Sequence, residues 1–359
     1  MEFYVLNRSF EHIMVLDQYI SAIWTERYFS CGDFEIQMPA IDAWISKIKI
    51  GDYIVRKENQ SVMLIEKIQI QTDTESGNTF TISGRGAESM LERRVAYSMA
   101  NFNGSTAYYI LSHYLKYEFG DYINNQIPER IASEIGSVID ESGSTETFQY
   151  SGFSETVYNI VCYICELAGI GFRFVLGGTK FDLYLYSGKR RTYDQTENAP
   201  VVFSPVFGNL SNSQYEYDSK AYRNVAMVYV LGETMSYTKR QWAMYVPYGA
   251  EIPTGLDRRE IAVDGSSVKK DDTTSDTMYG SMLHTTGLQA LSETRCTEAF
   301  SGDIDANTQF TYRKDWNLGD IVQVENEYGI KGVSRVLAVT ERDDTSGYYI
   351  TPTLSDWEV

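Results

Sequence analysis

The stretch LGDIVQVENEYGIKGVSRVLAVTERDDTSGYYITPTLSD, from Leu318 to Asp356, decides how the chain is read, because the chain carries a version of it much earlier. That version, IGDYIVRKENQSVMLIEKIQIQTDTESGNTFTISG, runs from Ile50 to Gly84. Each begins with an apolar residue and a Gly-Asp pair: Gly51-Asp52 in the first, Gly319-Asp320 in the second. A β-branched or aromatic run follows, Tyr53, Ile54 and Val55 against Ile321, Val322 and Val324. After a polar turn comes an alternating strand, Leu64, Ile65, Ile68 and Ile70 against Val336, Leu337 and Val339. An acidic loop then closes on Ser76-Gly77 or Ser346-Gly347 and leads into a last strand, Thr79 to Ser83 or Tyr348 to Thr353. The offset is 268 residues at the Gly-Asp and 270 at the Ser-Gly, which predicts one small insertion or deletion. Taken alone, a Gly-Asp before a strand is ordinary turn chemistry. The matched succession predicts two copies of one small β-domain rather than a solenoid, whose period is far shorter.

The chain has 359 residues, enough for two or three domains with cores of their own. It is rich in Tyr (28) and Phe (16), which suit half-buried sheets and wet interfaces. Its net charge of −18 argues against tight nucleic-acid binding, which needs a basic face to displace counterions. MEFYVLNRSFEHIMVLD has no basic region followed by an apolar block, so no signal peptide is expected. No apolar run approaches the roughly 20 residues of a membrane span; the longest, Val161 to Leu176, is broken by Glu166 and Arg173. Of the four cysteines, only Cys162 and Cys165 are close, and they lie in a helical pattern. Reduced thiols without metal are expected at Cys31, Cys162, Cys165 and Cys296.

Three blocks are expected: a first β-domain over 1–95, a middle α+β domain over 96–215, and a second β-domain with a helical insertion over 216–359. In the first block IWTERYFSCGDFEIQMPA reads as two strands about Gly32-Asp33, ended by Pro39. Gly84-Arg85-Gly86 reads as turn chemistry, and Ala87 to Arg94 as a short helix. The middle block holds a helix capped by Ser105 and stopped by Gly120, and another opened by Ser154 and Glu155 and ended by Gly169. Residues Gly136 to Thr147 read as a loop, and GFRFVL and FDLYLY as a hairpin about Gly177-Gly178. Lys189-Arg190-Arg191 is expected to be a solvated loop. In the last block NVAMVYVLGE and QWAMYVPYG read as strands and Gly280 to Ala299 as a helix.

No constellation for catalysis, cofactor or metal stands out. His12, His113 and His284 have no ligand spacing to a second His or Cys. Neither a GxSxG nucleophile elbow nor a Walker A loop is present. Glu26, Asp33 and Glu35 read as an exposed strand face.

The order of several stretches resembles the tail-hub proteins of long-tailed bacteriophages, in particular the siphovirus ReqiPepy-type tail protein family, and more distantly the baseplate hubs of contractile tails. They are WTERYFSCGDFEIQMPA, GDYIVR with FTISGRGAESMLERR, NAPVVFSPVFGNLSNSQYEYDSKAYRNVAMVYVLGE, and WNLGDIVQVENEYGIKGVSRVLAVTERDDTSGYYITP. The resemblance implies a non-enzymatic homotrimer at the virion tail tip, assembled in the host cytoplasm. Each chain would contribute two related β-barrels to a pseudo-sixfold ring, with Gly51, Asp52, Gly319 and Asp320 at matching positions. The ring would join the distal tail protein or tail tube to tip fibres or other baseplate proteins. It would enclose a channel for the tape-measure protein and then for DNA, which passes without specific binding. Many such proteins carry long fibre or hydrolase extensions, and here the chain stops at Val359; any lytic or fibre role is expected from another protein. The competing expectation, given the aromatic-rich β-domains, is a cell-wall-degrading or carbohydrate-binding protein. A hub of a phage-derived secretion or bacteriocin particle fits the same sequence.

Overall fold

The structure, a computed structural model, describes residues 1–56, 61–75, 77–97, 100–120, 127–152, 154–230, 241–247, 250–268, 270, 275–294, 296–305 and 309–355. Ser76, the 231–233 end of the NVAMVYVLGE segment and part of the polar stretch before the last helix (271–274) lie outside the described residues. The first repeat block contains β1 (Phe3–Leu6), β2 (His12–Leu16), β3 (Ser21–Arg27), β4 (Asp33–Pro39), α1 (Asp42–Ile45), β5 (Tyr53–Arg56), β6 (Val62–Gln71) and β7 (Thr79–Gly86). A 3-10 turn over Ala87–Arg93 follows. Next come β8 (Ala100–Thr106), α2 (Ala107–Glu118), β9 (Ile135–Asp140), β10 (Thr147–Gly152), α3 (Val157–Leu167), β11 (Gly171–Gly177), β12 (Lys180–Tyr186), β13 (Arg190–Arg191) and β14 (Val202–Phe203). The rest comprises β15 (Leu210–Asp218), β16 (Val225–Val230), β17 (Gln241–Tyr245), β18 (Glu260–Asp264), α4 (Asp276–Ser292), β19 (Thr297–Ile304), β20 (Ile321–Glu325), β21 (Lys331–Asp344) and β22 (Gly347–Leu354).

The chain forms two compact units: Met1–Ser213 with Ser301–Val359, and Gln214–Phe300. The expected boundary at 215/216 lies beside the start of the second unit at Gln214, and that at 95/96 lies inside the first unit. The α+β, mainly β class holds. The two β-barrels are not what the pairing shows. Both repeats lie in one twelve-stranded sheet of order β13-β20-β21-β3-β4-β7-β6-β5-β1-β2, with β14 on β20 and β22 on β21. Among the described residues this path has two ends and does not close. The repeats are bridged by the β3–β4 ribbon: β4 pairs β7 of the first copy, and β3 pairs β21 of the second.

Strand composition follows burial. VMLI at the start of β6 is a continuous apolar run because β5 and β6 are covered on both faces. Tyr53 and Leu64 join a core with α2, α3, β11 and β12. Ile54, Met63 and Ile65 join a second core with Phe3, Trp24, Phe34 and Phe80. The helix caps sit one and two residues beyond the expected ones: Thr106 accepts from Tyr109 N at 3.4 Å, and Thr156 accepts from Asn159 N at 3.2 Å. Ser105 instead belongs to β8. Residues 135–140, part of the expected loop, form β9, which runs parallel to β12. It reads as loop because only Val138 is buried along this edge strand. Gly84-Arg85-Gly86 is strand rather than turn. A Cβ on Gly84 would sit 1.8 Å from the Leu64 carbonyl oxygen, so glycine is needed for close approach to β6.

In the second unit β16 pairs antiparallel with β17 and parallel with β18. Leu283 and Leu291 of α4 pack on Ala226 and Val228. The helix begins four residues before the expected Gly280 and runs through Gly287.

A buried ion pair ties the two repeats together. Arg56, at the end of β5, donates from Nη1 and Nη2 to the two carboxylate oxygens of Glu341 on β21, at 2.6 and 3.0 Å. Their side chains are 3% and 2% exposed. The guanidinium also lies 5.7 Å from the centre of the Trp24 ring. Removing one partner strands a charge in the interior, which costs about 3–5 kcal/mol. Glu341→Ala is therefore expected to lower the thermal midpoint sharply, and the double variant Arg56→Met/Glu341→Leu to recover most of the loss. Calorimetry on the three proteins checks this; a double variant no better than the single one would contradict it.

Candidate functional site

The two Gly-Asp turns have the same geometry, built by the same bonds. In the first, Gly51 has φ +90°, Asp52 N donates to Lys49 O at 3.1 Å, and Lys49 N donates to Asp52 Oδ2 at 2.8 Å. In the second, Gly319 has φ +89°, Asp320 N donates to Asn317 O at 3.1 Å, and Asn317 N donates to Asp320 Oδ2 at 2.9 Å. Each turn then locks onto the middle strand of its copy. Gly51 N donates to Ile65 O at 2.8 Å and Ile65 N to Asp52 O at 2.9 Å. Gly319 N donates to Val336 O and Val336 N to Asp320 O, both at 2.9 Å. Immediately after the lock each middle strand has a bulge, between Ile65 and Lys67 in β6 and between Val336 and Ala338 in β21.

These contacts set the alignment of the copies. Ile65 matches Val336, Glu66 matches Leu337, and Ile68 matches Val339, an offset of 271 across the middle strand. Two length changes, three residues gained in the β20–β21 hairpin and one lost before β22, replace the single one expected. They nearly cancel between the Gly-Asp and the final strand, which is why offsets of 268 and 270 conceal them.

The surroundings of the two turns differ. A Cβ on Gly51 would meet the Arg8 guanidinium, whereas one on Gly319 would lie 2.2 Å from the ring of Tyr28. Tyr28 is fully buried, its N donates to the carbonyl of the bulge residue Leu337 at 2.8 Å, and its hydroxyl accepts from Gly188 N at 3.1 Å. Asp320 also accepts from Lys189 N at 2.7 Å and from Arg191 Nε at 2.6 Å. The basic triplet is thus not a solvated loop: Arg191 is buried and lies in β13, parallel to β20, while Arg190 faces out and pairs with Asp194. Among the described residues no arginine is hydrogen-bonded to Asp52, and burial raises its carboxyl above the usual range against the pull of the Lys49 N–H.

Between the repeats lies a polar cavity of about 470 Å³, lined in part by Glu26, Glu88, Arg173, Lys189, Arg313 and Asp320. Glu26 is not on an exposed face. It accepts from Tyr312 Oη at 3.2 Å and Arg313 Nη2 at 3.0 Å, and Arg313 also reaches Glu341 Oε1 at 3.0 Å. Of the other two acids grouped with it, Asp33 pairs with Arg27 and Glu35 is exposed. Glu88 carries the cavity's titrating group. Burial pushes its carboxyl up to about 7, although Phe174 N donates to it at 2.6 Å and pulls the other way. No spacing in the sequence marks Glu88, whose environment comes from strands β7 and β11.

The histidines do not converge: His12 lies against Tyr4, His113 stacks on Tyr117 at 4.0 Å, and His284 lies against Tyr245. All four cysteines are free thiols. Burial pushes the Cys31 thiol up and that of Cys162 to about 11, which keeps both protonated at neutral pH. Among the described residues no group of three or more His, Cys, Asp or Glu side chains is placed to hold a metal ion.

Comparison with known proteins gives a family. The family described as Siphovirus ReqiPepy6 Gp37-like protein matches residues 2–354. No curated protein matches the sequence. Among solved structures the chain is similar to the 43 kDa tail protein of prophage MuSo2 from Shewanella oneidensis, with a TM-score of 0.61, 14% identity, and coverage of 99% of this chain and 98% of that one. It is similar to a tail protein from Neisseria meningitidis MC58, with a TM-score of 0.58, 14% identity and coverage of 99% and 96%. A chain of the lidded Francisella PdpA-VgrG complex aligns with a TM-score of 0.53 and 10% identity over 99% of this chain and 52% of that one. At these identities the likeness is one of fold.

Alanine at either turn glycine would be forced into a left-handed conformation, at about 1–2 kcal/mol. Gly319→Ala must also displace the buried Tyr28 ring, adding about 1–3 kcal/mol, whereas Arg8 can swing away from Gly51→Ala. Urea midpoints are expected to fall in the order wild type, Gly51→Ala, Gly319→Ala; a reversed order would count against the clamp. Glu88 makes a separate pH prediction. Between pH 4.5 and about 7 the unfolded chain loses this proton while the folded chain keeps it. Its contribution to stability is therefore full below 4.5 and lost as pH rises through 7, by about 3 kcal/mol. Glu88→Gln keeps the acceptor for Phe174 and removes the titration. The stability of Glu88→Gln relative to wild type should rise between pH 5 and 7.5; a pH-independent difference would refute the assignment.

Proposed function

We propose that this chain, which belongs to the Siphovirus ReqiPepy6 Gp37-like protein family, is a non-enzymatic structural hub of a phage tail tip. Three copies form the hub, and the two repeats of each copy occupy six quasi-equivalent places around one ring. The observation that carries this reading is the pair of turn-and-bulge locks. Two copies of one motif with the same backbone bonds give each chain two similarly built segments. A chain built so meets a sixfold partner with three copies, and closed rings are the usual outcome of such head-to-tail contacts. Gly51-Asp52 and Gly319-Asp320 then stand at matching places around the ring. The similarity of fold to the two tail proteins from Shewanella oneidensis and Neisseria meningitidis supports a place in the tail.

In this reading segments 1–95 and 216–359 supply the ring, with 96–215 between them in sequence. The open sheet is closed between chains rather than within one, so that the barrel-like wall belongs to the assembly. The hub joins the distal tail protein or tail tube to tip fibres or other baseplate proteins. Its channel passes the tape-measure protein and then DNA, which a wall of acidic chains, each of net charge −18, does not retain.

Cryo-EM of assembled tails tests the hub directly. Three copies about one axis, with the two Gly-Asp turns alternating around it, are expected; a single copy bound outside the tube would overturn the reading. The competing wall-degrading function has one candidate group, Glu88, whose carboxyl lies in the range where general acids and bases work. Purified protein incubated with host cell walls should release no sugar or peptide. Sustained release that is lost in Glu88→Gln would replace the structural reading with an enzymatic one.

A further inference from the structure

We infer that the outer half of β6, residues 67–71, takes strand β15 of a second copy of the chain as its missing neighbour, an inference that rests on the ring reading. The argument comes from a place where the repeats are not treated alike. In the second copy, the half of β21 beyond the bulge pairs on one edge with β22 and on the other with β3, from Ala338↔Arg27 to Asp344↔Ser21. In the first copy, the same half of β6 pairs with β7 from Lys67↔Ser83 to Gln71↔Thr79. On its other edge, among the described residues, no strand is present.

Burial follows this difference. Val339 and Glu341 are 1% and 2% exposed, while Ile70, the counterpart of Glu341, is 50% exposed. An apolar side chain half in water beside an open backbone edge is a template for another strand. The position filled in one copy defines what fills it in the other. β3 belongs to the ribbon that precedes the Gly51 turn, with β4 ending at Pro39. The ribbon that precedes the Gly319 turn is β15–β19, with β19 ending at Ile304. By position β15 is the counterpart of β3, and Tyr215, Glu216 and Tyr217 are suited to a neighbour that offers Lys67 and Ile70. Within one chain β3 already serves β21; the edge of β6 therefore receives its strand from the next copy, and repeating this step three times closes the ring.

The test places the photo-crosslinker p-benzoylphenylalanine at position 70 of the full chain in assembled tails. Position 70 is exposed, so the substitution leaves the fold intact; the same amino acid at position 328, where Tyr328 is 88% exposed, is the control. Irradiation should yield a band of twice the chain mass from position 70 only, and mass spectrometry should map the link to residues 210–218. Links from position 70 to another tail protein, to a different part of a second copy, or to nothing, in tails that show three copies about an axis, would overturn the strand pairing and leave the hub standing. Tails without three copies about an axis would overturn both.

Discussion

The pair between Arg56 and Glu341 is the contact on which the arrangement of the two repeats depends. It lies where β5 of the first copy meets β21 of the second, with both charges removed from water. Such a pair is better tolerated as more of the remaining hydrogen-bonding capacity is met. Here Tyr348 and Arg313 complete Glu341, and Arg313 passes on to Glu26. The Trp24 ring beneath Arg56 belongs to the core that holds Phe3 and Phe34. The ion pair thus fixes the angle at which the second repeat leaves the first core, and a one-residue slip of β21 against β3 would place Glu341 on the opposite face.

Around that pair the turn-and-bulge lock acts twice. A positive-φ glycine reverses the chain, the following Asp bonds back to the residue three before it, and the turn's N–H and C=O close on the strand just ahead of its bulge. A bulge increases local twist, so each lock bends its middle strand at the same point. That shared bend lets β6 and β21 present comparable outer halves although their sequences share little beyond apolar alternation.

Much of this was legible in the sequence, for identifiable reasons. Gly-Asp before a β-branched run is a local signal, since only a few residues adopt the needed backbone, and the alternation after it reports one buried face. The strands of the hairpin at Gly178 and the helix stop at Gly169 were readable on the same basis. What stayed hidden depends on neighbours distant in sequence. Arg191 reads as solvated until Asp320, 129 residues on, is placed beside it. Glu26 reads as a surface acid until Arg313 arrives. Strand β9 carries one buried residue and takes its identity from β12. Two length changes that nearly cancel look like one. Glu88 differs from other glutamates only by being sealed beneath β11.

The two outer halves also show how one motif serves two kinds of contact. Glu341 meets Arg56 within the same chain, where the partner is held at high effective concentration and the desolvation is met once, on folding. Its counterpart Ile70 stands half in water in the single chain. A buried charge at that place would have to be desolvated at each assembly step, against a partner arriving from solution, and the penalty can exceed the attraction gained. An isoleucine and a backbone edge impose no such penalty. In the strand pairing inferred above, association would be driven by water released from apolar surface and by ladder hydrogen bonds formed in a geometry the lock has already set. Under that pairing the divergence of positions 70 and 341 follows from their setting: a permanent contact inside the chain admits the ion pair, and a contact made during assembly calls for the apolar edge.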